Sequence, residues 1–173
     1  IAFLAFFLFD MIGKGIPAFN ITYIKVDVTF NEKTLEDTRF AVPTEYRNLV
    51  SRAALRDLPK LLEENPTYMN STQNIWILAS SQVDQYIKNH NHNLKDKDIA
   101  KVDELYNQGL IEKRFNAIFF TNGDSKIPEY AGIFSAVIGS ILTLIITMAV
   151  AFPIGVMTAI YLEEFAGDNK FTR

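Results

Sequence analysis

Apolar residues gather at the two ends of this chain, and polar and apolar positions interleave between them. From Ala131 to Leu162 there is no Asp, Glu, Lys, Arg or His, a run of 32 positions. About 20 mostly apolar residues suffice for a helix to cross a bilayer. As one helix the run would be about 48 Å long at 1.5 Å per residue. That exceeds a hydrocarbon core of about 30 Å, so the segment must tilt, bend or open with a lead-in turn. Gly139-Ser140 and Pro153 with Gly155 are its two expected bending points. Gly139, Ser140, Thr143, Thr147, Gly155 and Thr158 are small or hydroxylated, as residues at close helix–helix contacts in membranes are. Glu163 and Glu164 read as solvated charges that end the span.

The N-terminal stretch, IAFLAFFLFDMIGKGIPAF, starts inside another apolar run. Ile1–Phe9 covers only about 13 Å as helix, and it lacks the basic region and cleavage site of a secretory signal. It reads as the back half of a span, ended by Gly13, Gly15 and Pro17. Together the two ends read as an internal piece of a longer membrane protein.

The middle reads as mixed α/β. Tyr23–Phe30 alternates, with Ile24, Val26, Val28 and Phe30 on one face and Lys25, Asp27 and Thr29 on the other, which predicts a half-buried strand. Pro43–Leu58 opens on a proline suited to a first helical position and carries Tyr46, Leu49, Val50, Ala53 and Ala54 at helical spacing. Pro59 should interrupt that helix, with KLLEEN as a second short one. Asn74–Ala79 reads as a buried strand. The segment from Ser80 reads as a helix with Ser81 and Asp84 in capping-box-like spacing. DIAKVDELYNQGL reads as a helix stopped by Gly109, and RFNAIFFTNGDS as a strand running into an Asn122-Gly123 turn.

Composition changes this picture little. Hydrophobic residues make up 49% and charged residues 21%, a soluble-looking average that hides the apolar ends. The net charge of −3, without a basic block, gives no footprint for nucleic acid. There is no cysteine, which removes disulfides, thiolate catalysis and cysteine metal sites. His90-Asn91-His92 has two imidazoles but no further converging ligands, and reads as a solvated loop. Asn20-Ile21-Thr22 and Asn70-Ser71-Thr72 match the glycosylation sequon, which matters only in a secretory lumen. Trp76 and the phenylalanines read as core. No phosphate loop and no nucleophile–base pair stands out, so nothing here predicts an enzyme, a metal site or a cofactor.

Tyr130–Ala166, YAGIFSAVIGSILTLIITMAVAFPIGVMTAIYLEEFA, resembles the second transmembrane region of the permease subunits of bacterial phosphate ABC transporters, PstA type. Gly132, Ile133, Ala136, Val137/Ile138, Gly139 and Ser140 match the start of the family motif, and Ala151–Phe165 match its ending. Some members carry an extra periplasmic domain between the first two spans, which GKGIPAFNITYIKVDVTF and SSQVDQYIK resemble. The resemblance implies four parts: 1–19 the end of a first transmembrane helix, 20–128 a periplasmic α/β domain, 129–164 a second transmembrane helix, and 165–173 the start of a cytoplasmic loop. It implies a multi-pass protein of the bacterial inner membrane, importing inorganic phosphate with a partner permease subunit, an ATPase subunit that hydrolyses ATP, and a periplasmic phosphate-binding protein. Gly139, Ser140, Pro153 and Gly155 carry packing and bending in that reading, with membrane lipid around them and no ligand contact. Two alternatives stay open at this point: a two-span membrane sensor with a periplasmic ligand-binding domain, and a permease for another oxyanion.

Overall fold

The computed structural model describes residues 2–165. Positions 166–173, with Lys170 and Arg173 and nearly all of the expected cytoplasmic loop, lie outside the described residues. The chain folds as an α/β module with an apolar helix at each end. Helix α1 (Ala2–Gly15) leads through a 3-10 turn (Ile16–Phe19) into strand β1 (Asn20–Phe30). Then come α2 (Glu32–Glu36), α3 (Arg52–Arg56), α4 (Leu58–Glu64) and strand β2 (Ser71–Leu78). Helices α5 (Ser81–Ile87) and α6 (Asp96–Asn107) follow, then β3 (Ile111–Phe115), α7 (Ala117–Thr121) and α8 (Phe134–Ile160), which ends in a π-helical turn to Phe165.

The sheet has three antiparallel strands in the order β2-β1-β3. β1 is central, and its alternation sets the layout. Ile24, Val26, Val28 and Phe30 are all buried, as their spacing predicts. They pack with Leu49, Val50, Leu55, Val83, Val102 and Leu105, so one face of the sheet is closed by the helical connections. Each such aliphatic side chain contributes about 1.5–3 kcal/mol by leaving water. The opposite face is largely polar. Asp27 pairs with Asn74, which donates to it at 2.6 Å, and the hydroxyls of Thr29 and Thr72 meet at 3.0 Å across the strands. Antiparallel sheets are commonly covered on one side only.

Three expectations change here. Pro43–Leu58 is not one helix. The backbone of Leu49–Ser51 instead continues the sheet: Ser51 N donates to Leu78 O at 2.8 Å, Ser80 N to Leu49 O at 2.8 Å, and Val50 bridges Ala79. Ser51 then caps the shorter α3 by accepting from Ala53 N. Pro59 sits in the first turn of α4, where its missing N–H costs nothing, so the second short helix forms as expected.

The strand expected through Phe119-Phe120 stops at Phe115. Asn116 accepts from Phe119 N and starts α7 instead, and Gly123 turns without a positive φ. Trp76 is only half-buried. It lies on the open face, with Lys25 Nζ 5.8 Å and the Arg114 guanidinium 5.0 Å from its ring centre. Among the phenylalanines Phe30 is core, whereas Phe115 is 66% exposed. Gly109 does follow α6 with φ +71°, the left-handed conformation that a helix-ending glycine supplies.

Candidate functional site

Two places can carry function: the exposed surface of α8, and the junction that fixes α8 to the module. Helix α8 has 27 residues and none is buried. With the adjoining turn it is long and apolar enough to cross a membrane, and so is Ala2–Phe19. The apolar run therefore forms helix from Phe134 rather than from Ala131, and Tyr130 lies outside it.

The expected packing residues all fall within α8. Side chains four apart on a helix are neighbours, so Gly139, Thr143, Thr147, Ala151, Gly155 and Ala159 follow one ridge of small residues. The ridge winds by about 40° at each step, which puts Gly139 and Gly155 on nearly opposite faces. A Cβ on Gly139 or Gly155 would meet nothing within 4 Å. Ser140, Thr143 and Thr158 donate their hydroxyls to the carbonyls of Ala136, Gly139 and Ile154, each at 2.8 Å. Their polar groups are thus satisfied within the helix, as a lipid setting demands. Pro153 lies inside the helix, and the donor that would reach the Ala149 carbonyl is missing there.

The junction is built from α7 and the segment 122–135. Gly132 N donates to Gly123 O at 2.9 Å, Ile133 N to Phe119 O at 2.8 Å, and Phe134 N to Asn122 O at 3.0 Å. A Cβ on Gly132 would lie 2.3 Å from Asn122 O and 2.8 Å from the carbonyl oxygens of Ile118 and Phe119, so only glycine fits. On the other side Asn116 N donates to Phe19 O at 2.8 Å, and its side-chain amide donates to Ala18 O at 3.0 Å. Phe19, Phe115, Phe119 and Phe120 stack around this point, with ring centres 5.2–6.1 Å apart in the contacting pairs.

A second tie sits just before α8. Glu129 accepts from Ser81 N at 2.7 Å and so caps α5 from across the chain. This corrects the expected Ser81–Asp84 capping box: Ser80 is the N-cap residue and makes no side-chain cap, while Asp84 is engaged by Thr22 and Lys88. Tyr130 donates its hydroxyl to Asp57 at 2.7 Å. Burial, and then the bond to Asp57, push this phenol well above the usual tyrosine range. A raised folded-state value means the stability it confers is complete below the unfolded value of about pH 10. That stability drains away as pH climbs above 10 through the raised value. Tyr130→Phe should flatten the alkaline loss of stability and remove from the absorbance curve a phenol that ionises above the usual tyrosine range. An unchanged curve would count against this buried contact.

His90 is exposed, as a solvated loop requires, but His92 is not free in solvent. Its ring sits edge-on to Tyr86 at 4.9 Å, with Nδ1 buried and without a hydrogen-bond partner among the described residues. No group of three or more metal-ligating side chains comes together among the described residues. Of the two sequons, Asn20 opens β1 and Asn70 precedes β2 with φ 59°. Sequence reasoning also passed over the arginines between Arg39 and Arg56. Arg52 and Arg56, four apart on α3, were the available signal.

Fold and junction define the chain as a small antiparallel α/β module set between two apolar helices. Residues 1–46 and 41–97, more than half of the chain, match the family described as Domain of unknown function (DUF3333), and the chain belongs to that family. No curated protein and no solved structure matches it.

Proposed function

We propose that this chain is part of a permease subunit of an ABC importer for inorganic phosphate, seated in the bacterial inner membrane with its module in the periplasm. The single observation that carries the reading is α8. It is a 27-residue helix with no buried residue, and it coincides with the segment resembling the second span of phosphate permeases. An apolar helix this exposed needs lipid and partner helices around it. Its small residues Ala151, Gly155 and Ala159, four apart, allow close approach of another helix along one side. The exposed Phe115 and Phe120 would then lie where the module meets the bilayer surface. ATP hydrolysis falls to a separate ATPase subunit, and a phosphate-binding protein delivers substrate from the periplasm.

The test is uptake of labelled phosphate by cells whose own permease is deleted, carrying the gene that encodes this chain. Uptake should be restored, and a Gly155→Leu variant should lose most of it although no phosphate contact changes. Permease abundance in the membrane separates failed assembly from failed switching. Sulfate or molybdate uptake in place of phosphate would reassign the substrate. Wild-type uptake at wild-type abundance in the variant would mean that position 155 faces lipid and would end the packing claim.

A further inference from the structure

Two adjoining clefts of about 590 and 410 Å³ open on the module, and Arg47, Arg52 and Arg56 line both. Arg39 joins them in the first and Lys126 in the second. The chain as a whole is acidic, so this collection of cations runs against its average. Only two carboxylates share the clefts, and both are engaged. Asp37 holds Arg39 by accepting from both its Nε and its Nη2, and Glu129 caps α5. Arg47 leans its guanidinium on the Phe40 ring at 5.0 Å and donates to Val42 O. Arg52, Arg56 and Lys126 have no ion-pair partner among the described residues.

Ser80 also lines the second cleft, but its hydroxyl oxygen is buried away from the cleft's accessible surface, without a hydrogen-bond partner among the described residues. A buried hydroxyl left unpaired costs free energy, and such groups in folded proteins normally have a partner. Three arginines without carboxylate partners, lining one concavity, are the complement of a multiply charged oxyanion. Guanidinium groups present planar forks of N–H donors that match phosphate and sulfate oxygens two at a time.

We infer that this double cleft binds a tetrahedral oxyanion of the phosphate or sulfate type, held by Arg47, Arg52 and Arg56 with Lys126 completing its contacts. The inference does not rest on the transport reading, since such a pocket would serve a sensor as well as a permease. The concavity favours a small anion over the flat surface of an acidic protein. Lys126 lies eight residues before α8 begins, so the anion has two sources: a free ion, or the phosphate of a lipid headgroup.

The test uses the full chain in a maltoside detergent, which carries no phosphate, and titrates it calorimetrically with sulfate and with inorganic phosphate at low ionic strength. Saturable binding of at least one is expected. The double variant Arg52→Ala/Arg56→Ala should weaken it by about tenfold to hundredfold, since hydrogen bonds to charged groups are lost. Both side chains are exposed, so the variant should keep the circular dichroism of the parent. Arg52→Lys/Arg56→Lys, which keeps charge but not the fork, should fall between. In phosphatidylcholine nanodiscs, retained binding identifies a free ion, and loss that nanodiscs of the phosphate-free, uncharged digalactosyldiacylglycerol reverse identifies a headgroup. No saturable binding of either anion, or equal affinity in the folded double-alanine variant, overturns the site.

Discussion

Asp84→Ala is expected to lower the stability of the α/β module by about 2–4 kcal/mol, the range for stripping a partner from buried polar and charged groups. Thr22 is fully buried on the central strand, and both its N–H and its hydroxyl donate to Asp84 Oδ1, at 3.0 and 2.7 Å. Lys88 donates to the other carboxylate oxygen at 2.6 Å and to Asn20 O at 2.6 Å. The lysine and aspartate side chains are only 11% and 19% exposed. Alanine would leave two buried donors and one largely buried ammonium without their acceptor. Only the bond from Lys88 to Asn20 O would then tie the end of α5 to the start of β1. Asp84→Asn keeps an acceptor for Thr22 and loses the charge pair, so it should cost roughly half as much. Thermal unfolding of the full chain, followed by the circular dichroism of the sheet, measures both. A loss under about 0.5 kcal/mol, ordinary for a surface site, would show that the cluster does not hold α5 to the sheet.

Gly132→Ala should loosen the connection between module and α8 more than any other exchange of a single glycine. The added Cβ meets three backbone oxygens of α7 and its C-terminal cap, the nearest at 2.3 Å. Those oxygens cannot move aside freely. Phe119 O and Asn122 O accept from Ile133 and Phe134, and Ile118 O accepts from Asn122 N. Overpacking of this kind costs about 1–3 kcal/mol. Amides of residues 132–134 should therefore exchange with solvent roughly tenfold to hundredfold faster, because each 1.4 kcal/mol is about a factor of ten. Gly139→Ala and Gly155→Ala provide the contrast. They make the same chemical change in open space within a helix, where alanine is if anything stabilising. Equal exchange at 132–134 in all three variants would refute the close-packed junction.

How much could be read beforehand depended on what each segment's backbone was bonded to. β1 was legible because one closed face of an antiparallel sheet imposes period two, and Ile24, Val26, Val28 and Phe30 obey it. α6 and its stop at Gly109 were legible because helix ends are local chemistry. Residues 43–58 misled because helical spacing of Leu49, Val50 and Ala53 was real, yet Leu49–Ser51 spend their backbone groups on Leu78 and Ser80, thirty residues away. Ala117–Thr121 misled because isoleucine and two phenylalanines favour strands, while Asn116 and contacts with Ile133 decide for helix. Gly139, Ser140, Pro153 and Gly155 sit on α8, where the two glycines meet nothing within 4 Å, whereas Gly132, two residues before the helix, shows a close contact. The motif had marked that position without its reason. The arginine cleft was legible only in part: Arg52 and Arg56 sit four apart in the sequence, but the fold alone brings Arg39 and Lys126 to the same surface.

The clasp of Asn116 on Ala18 and Phe19, continued by the pairing of Asn20 with Phe115, makes the whole of 20–115 a detachable insert. Residues paired across an antiparallel ladder have Cα atoms about 4.5–5.5 Å apart, so the chain leaves the insert almost where it began it. Removing those residues would leave two ends that a very short linker can rejoin, with little loop-closure entropy at stake. α1 and α7–α8 would remain connected in the same order. A lineage could therefore gain or lose this module without rebuilding the helices on either side of it.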